Sequence, residues 1–197
     1  MLVNDLERLS PNVMQSRTQQ LYKEILPELS KLLGEKNPNA LPKIDRVVVN
    51  VGVGKFLKEE NRINEIRDSL QMITGQKVVS TKAKKAIAGF KTREGLEVGM
   101  RVTLRGERMW HFLDRLIHVA LPRVRDFQGV TRSSVDSYGN LSIGVKEHMV
   151  FPEIIPEKVQ TMFGFQITVV TTAQDKKAGE KLFELVGLPL QKEGVKH

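Results

Sequence analysis

The sequence contains no cysteine. That excludes thiolate zinc sites, iron–sulfur clusters, cysteine nucleophiles and a disulfide-stapled secreted scaffold. Histidine is scarce, with four residues in 197, and aromatics make up only 6%, so a base-stacking platform is not an obvious means of binding. No apolar run approaches the ~20 residues of a membrane-spanning helix. The opening MLVNDLERLS carries Asp5 and Glu7 and lacks a continuous apolar stretch, unlike a secretory or transit peptide. A soluble, intracellular chain is expected, with no role at a membrane. No repeat, low-complexity tract or Pro/Gly/Ser-rich linker divides it, so one domain is the economical reading. A chain of this length can bury roughly 70% of its unfolded surface without staples.

The charge is uneven. The net +8 comes from 31 Lys and Arg against 23 Asp and Glu, yet residues 76–105 alone hold eight cations and two acids. Charge that served only solubility would be spread, so a concentrated block points to a polyanionic partner. The competing reading is a solvated basic loop.

Hydrophobic spacing sets out the elements. Leu21, Ile25, Leu29 and Leu32 recur at helical steps over 15–33, with Pro27 expected to kink or interrupt the helix and Gly34 to end it. RVVVNVGVG reads as a strand with Val47, Val49, Val51 and Val53 on one face. A second helix is expected over 61–73 on Ile63, Ile66, Leu70 and Ile73, stopped by Gly75. Val78 and Val79 begin an extended segment that leads into a basic loop. Residues 100–105 alternate, with Val102 and Leu104 opposite Arg101, Thr103 and Arg105. A third helix, about 108–120, should end before Pro122. Strands follow at 141–145 and 165–172, and a last helix at 175–186 is stopped by Gly187 and Pro189. Strands and helices mix without strict βαβ alternation. The pattern predicts an α+β, two-layer domain whose antiparallel or mixed sheet carries helices on one face. The other face would be open and dressed with Asn50, Arg101, Thr103, Arg105, Gln166 and Thr168. Those groups suit phosphate and ribose, although an ordinary solvated sheet face would look similar.

Enzyme signatures are weak. VNVGVGKFL follows a strand, but Leu57 replaces the third glycine of the dinucleotide fingerprint, and Glu59 and Glu60 oppose a pyrophosphate. Gly52 and Gly54 are better explained by a bulge or by close approach of another backbone, which could be RNA. His111, Asp114 and His118 share one helix face, but nothing completes a tetrahedral site, and that face is expected to meet solvent. No cofactor, metal or catalytic residue is assigned. TKAKKAIAGFKTREG is more informative. Lys82, Lys84, Lys85, Lys91 and Arg93 surround small residues and Phe90, so the segment could lie along a phosphate backbone and release counterions. Phe90 is either a stacking tip or a core anchor.

NVGVG (50–54), LQMITGQKVVSTKAKKAIAGFKTREG (70–95), VTLRGERMW (102–110), ALPRVRDFQG (120–129) and VFPEI (150–154) together resemble the bacterial-type family of large-subunit ribosomal protein five, the 5S ribosomal RNA-binding family. The match runs in order from about Arg17 to Leu190. The resemblance implies a non-enzymatic constituent of the large ribosomal subunit, cytoplasmic and ribosome-bound on a bacterial or organellar ribosome, that helps attach 5S RNA in the central protuberance. It implies contacts with 5S and large-subunit ribosomal RNA, with peptidyl-site transfer RNA, and with the small-subunit head protein thirteen in an intersubunit bridge. No obligate homo-oligomer is implied. By motif, Asn50, Gly52, Gly54, Gln76, Lys77, Arg101, Thr103 and Arg105 are the ribosomal-RNA positions. Lys82, Lys84, Lys85, Phe90, Lys91 and Arg93 form the transfer-RNA loop, 81–93. Arg123, Arg125, Asp126, Gln128 and Arg132 fall in the bridge region, about 123–144. The family usually begins near Arg17, so 1–16 reads as an N-terminal extension, 17–190 as the single RNA-binding domain and 191–197 as a tail. A free RNA chaperone using the same sheet is the alternative, separated from the ribosomal reading by ribosome co-sedimentation.

Met1–Ser16 holds one basic and two acidic residues and offers phosphates no net attraction. Deleting it should change 5S RNA affinity by less than about threefold, ~0.7 kcal/mol, in a filter-binding titration. A loss of tenfold with the fold intact would place the extension in the RNA site.

Overall fold

The computed structural model describes residues 16–191 except 36, 58 and 91. The first fifteen residues of the extension and all but the first residue of the tail therefore lie outside the described residues. Nine-residue β1 (Ile44–Gly52) occupies the centre of a five-stranded sheet. It pairs with β3 (Glu97–Leu104) on one side and β5 (Phe165–Thr171) on the other, while β2 (Val79–Lys82) and β4 (Leu141–Val145) form the edges. The order is β2-β3-β1-β5-β4 and every pairing is antiparallel. This settles the expected antiparallel-or-mixed sheet as antiparallel, in an α+β fold.

Register follows from alternation. Val47, Val49 and Val51 stand beside Leu104, Val102 and Met100 of β3, and all six are buried. Leu141, Ile143 and Val145 meet Val169, Ile167 and Phe165 in the same way. Each aliphatic side chain withdrawn from water contributes roughly 1.5–3 kcal/mol, and a one-residue slip would expose a whole row. This face packs against α1 (Arg17–Leu33), α2 (Glu60–Thr74), α3 (Gly106–Arg115) and α5 (Lys176–Val186), which bury Leu29, Ile66, Leu70, Ile73, Phe112, Leu113, Leu182 and Phe183. Ser16 caps α1 by accepting from the Gln19 N–H, and Asp175 caps α5 through Ala178. Gly34, Gly75 and Gly187 close their helices in the left-handed conformation, as the sequence suggests.

Pro27 does not interrupt its helix. It lies inside an unbroken α1, on the exposed side, with Leu29 anchoring the buried side. Pro122 does not end the third helix either. After α3 the chain widens into a π-helix, Leu116–Ala120, and continues through a last turn, α4 (Leu121–Arg123). The Leu121 N–H reaches back five residues to Leu116, and the wider turn accommodates the ring of Pro122, which has no N–H to satisfy. Asp114, expected on a wet face, is drawn inward instead. Its carboxylate accepts from the Arg17 and Thr18 N–H groups and the Thr18 hydroxyl at 2.7–3.1 Å, fastening the start of α1 to α3. His111 and His118 remain exposed.

The long connection from β4 to β5 is held by one half-buried group, Glu65, and one buried group, His148. Glu65 of α2 accepts from the Gln160 and Thr161 N–H groups at 2.8 and 3.1 Å. Burial alone would raise its carboxyl, but the hydrogen bonds from Thr161 and Gln160 outweigh it and hold the pKa below the ordinary carboxylate range. His148 is fully buried, stacks on Phe163 with ring centres 4.1 Å apart, and has no hydrogen-bond partner for either ring nitrogen. At the start of α5, Gly179 crosses the 136–140 turn so closely that a Cβ on it would lie 2.5 Å from Gly139 Cα.

Burial pushes the His148 imidazole below its ordinary value, against the upward pulls of the Phe163 backbone and the Glu65 carboxylate. The unfolded chain then takes up a proton at about pH 6.5 that the folded chain refuses. Stability from this group is complete above that pH and is lost as pH falls below it, by at most about 1.4 kcal/mol per pH unit. Urea unfolding between pH 7.5 and 5 should show this decline, and His148→Phe should remove it. An unchanged slope in that variant would refute the assignment.

Candidate nucleic-acid interface

The face of the sheet opposite the core is open. The pairing places Val79, Arg101, Asn50, Gln166 and Gly144 side by side in one row that crosses all five strands. With strands ~4.8 Å apart, the row extends about 19 Å. All five residues are exposed. The next row is Thr103, Val48, Thr168 and Ser142, half-buried, with the Thr168 and Ser142 hydroxyls 3.2 Å apart. Neither row contains a carboxylate. Together they offer amides, hydroxyls and one guanidinium, Arg101, which forms no ion pair among the described residues. Ser142, Gly144 and Val79 were not among the predicted site residues. The alternation of LSIGV assigns Ser142 and Gly144 to a polar face, but only the register shows that they continue the rows begun by β1.

Gly52 closes β1 opposite Gly99, and Gly54 begins a 3₁₀ turn, Gly54–Phe56. A bulge at Gly52 is not found; the register shifts lie at Ile44/Arg46 and Thr81/Lys82. Neither glycine has a positive φ, and a Cβ on either would meet nothing within 4 Å. Nothing inside the protein requires glycine at these positions. What they provide is bare, exposed backbone.

The other predicted residues divide by role. Gln76 donates to the Thr103 carbonyl at 2.9 Å, so part of its capacity serves the fold; Lys77 beside it is exposed. Strand β3 ends at Leu104, and Arg105 continues extended and exposed into α3. Thr81 and Lys82, assigned from sequence to a loop, belong to β2 instead. They are the foot of a long β2–β3 hairpin. Its stem continues through hydrogen bonds between Ala83 and Leu96 and between Gly95 and Ala83, and an Ile87–Thr92 bridge closes a tip containing the turn Ala88–Phe90. Backbone pairing thus holds a segment whose side chains lack strand alternation. Lys82, Lys84, Lys85 and Arg93 are exposed and form no ion pair among the described residues; Lys91 lies outside them.

The 123–132 region is built differently. Arg123, Arg125, Asp126 and Gln128 are exposed, and Asp126 adopts φ +54°. Arg132 is turned inward. Its guanidinium pairs with Glu180 at 3.3 Å and with Glu184, and donates to the Gln191 carbonyl at 3.1 Å, tying the segment to α5 and to Gln191. Among the described residues, no group of three His, Cys, Asp or Glu side chains is placed to hold a metal.

Two family models match this chain consecutively. Residues 37–93 fit "Ribosomal protein L5", and residues 97–190 fit the model of the C-terminus of the same ribosomal protein family. The chain is similar to the large ribosomal subunit protein uL5 of Mesoplasma florum, 48% identical over 180 residues, 91% of this chain and all of that protein. It is 46% identical to uL5 of a Thermoanaerobacter species, over 90% of this chain and 99% of that one. Identity to uL5 of Rubrobacter xylanophilus is 48%, over 85% and 93% respectively. The β1 turn, the basic hairpin and all five strands lie within the span covered by the two models, and on these matches the chain belongs to the ribosomal protein L5 family.

Proposed function

We propose that the open sheet face is a ribosomal-RNA interface through which this constituent of the large ribosomal subunit binds 5S RNA and helps attach it in the central protuberance. The family is structural, so the protein acts on the ribosome in the cytoplasm without catalysing a reaction. The observation that carries this reading is the cross-strand row of Arg101, Asn50 and Gln166. It is free of carboxylates and flanked by exposed glycine backbone at Gly52 and Gly144. Such a surface reads shape, phosphate and ribose, with 2′-hydroxyls within reach of amides and hydroxyls and few aromatic rings on which bases could stack. The proposed unit is 17–190, with 1–16 and 191–197 as appendages.

The hairpin above the sheet is assigned to peptidyl-site transfer RNA. Lysines on long stems make screened, undirected contacts, which suit a partner that must bind and leave. The region of about 123–144, on which Arg123, Arg125, Asp126 and Gln128 are exposed, is assigned to the intersubunit bridge with the small-subunit head protein thirteen. Arg132 supports it from behind.

Replacing both Arg101 and Arg105 by Ala should lower the salt slope of 5S RNA binding by about one to two if each guanidinium meets a phosphate. An unchanged affinity and slope in the folded double variant would remove the sheet from the RNA site.

Changing Lys82, Lys84 and Lys85 together to Ala should leave 5S RNA occupancy of large subunits intact. Release of peptidyl-site transfer RNA should become faster, with a salt slope smaller by about two to three. Both quantities need measuring on the same ribosomes. Loss of 5S RNA with normal transfer-RNA release would make the hairpin an assembly element.

A further inference from the structure

The exposed stripe of α2 borders a second surface, unlike the first in every respect. Asn61, Asp68 and Met72 follow one another along the helix at the spacing of a single face. Opposite them runs the segment 153–160, and between the two lies a groove of about 480 Å³. It is a built feature. Glu65 in its floor holds the Gln160 and Thr161 N–H groups. Arg115 ties the far wall to the helix by pairing with Glu153 at 3.0 Å while donating to the Ile73 carbonyl at 2.9 Å.

The lining has a definite chemistry. Among the described side chains it is lined by three carboxylates, Glu65, Asp68 and Glu153, the last paired with Arg115, and by no Lys, Arg or His. One Glu153 oxygen is buried there without a hydrogen-bond partner. The walls present large apolar side chains to water, Met72 at 55% exposure and Ile155 at 50%. In a chain of net charge +8 this is a local reversal of sign, and a phosphate backbone would be repelled from it. Because α2 packs its other face into the core, the groove belongs to the helical layer and leaves the sheet face free.

We infer that this groove docks a peptide segment of a neighbouring protein that carries Lys or Arg next to an aliphatic side chain. The cation meets the exposed Asp68 carboxylate, with Glu65 and Glu153 adding negative charge behind it, and the aliphatic group covers Met72 and Ile155. The inference goes beyond the RNA reading and relies on the ribosome only as the place where the neighbour is met.

The test uses the full chain with photoreactive p-benzoylphenylalanine in place of Met72, assembled into large subunits in cells, with the crosslinked product sequenced by mass spectrometry. The expected product is a ribosomal-protein peptide with Lys or Arg within about five residues of the crosslinked site. Adding Asp68→Lys, and separately Ile155→Lys on the opposite wall, should cut crosslink yield about tenfold at unchanged incorporation. A crosslink to RNA, no crosslink, a peptide lacking a cation, or a yield indifferent to both substitutions would overturn the inference. Sedimentation of the labelled chain checks the ribosomal reading separately.

Discussion

The open sheet face depends on the two-residue period of β1 in its central position. Its valines face the helices and its Arg46, Val48, Asn50 and Gly52 face outward. Both neighbouring strands must match that division, or a hydrophobic row would be exposed. The buried row is thus what holds Arg101 beside Asn50 and Gln166 on the other side. A surface on the back of a packed sheet inherits the rigidity of the core, which is what the proposed contact with a folded RNA would need.

The charged regions are built with different stiffness. The sheet face displays few cations at fixed positions, whereas the hairpin beyond β2 and β3 displays many on flexible stems above a backbone-paired stem. Polar groups drawn into the interior serve as fasteners. Asp114 holds the start of α1, Glu65 holds the 160–161 backbone, and Arg132 binds the 130s to α5 and Gln191. Each has its partners in place, which is the condition for a buried or half-buried polar group to stabilise. His148 differs from these three. Neither ring nitrogen has a hydrogen-bond partner and the ring stacks on Phe163, so it is a point at which falling pH weakens the fold.

Much of this was legible in the sequence. Most helix and strand positions, the Val47–Val53 face, the capping glycines and the basic character of 82–93 follow from periodicity and composition, because those depend on neighbours a few residues away. Proline was misleading for the opposite reason. Whether Pro27 or Pro122 breaks a helix depends on what surrounds it, an exposed side in one case and a π-turn in the other. The loop assignment of Thr81 and Lys82 failed similarly, since their strand character comes from pairing with β3 and not from alternation of their own.

The α+β class, the segregation of apolar and polar faces and the concentration of cations in one window are written directly in residue order, since all three are local properties of the chain. Tertiary structure alone decided which polar faces lie side by side. Strand order β2-β3-β1-β5-β4 brings residues from 50, 101, 144 and 166 into one row, and no local signal encodes an order between strands so far apart. It also decided which charged residues remain available. Arg132 and Asp114 read from sequence as surface groups, yet both are consumed internally, because partners distant in the chain arrive beside them only when the helices pack.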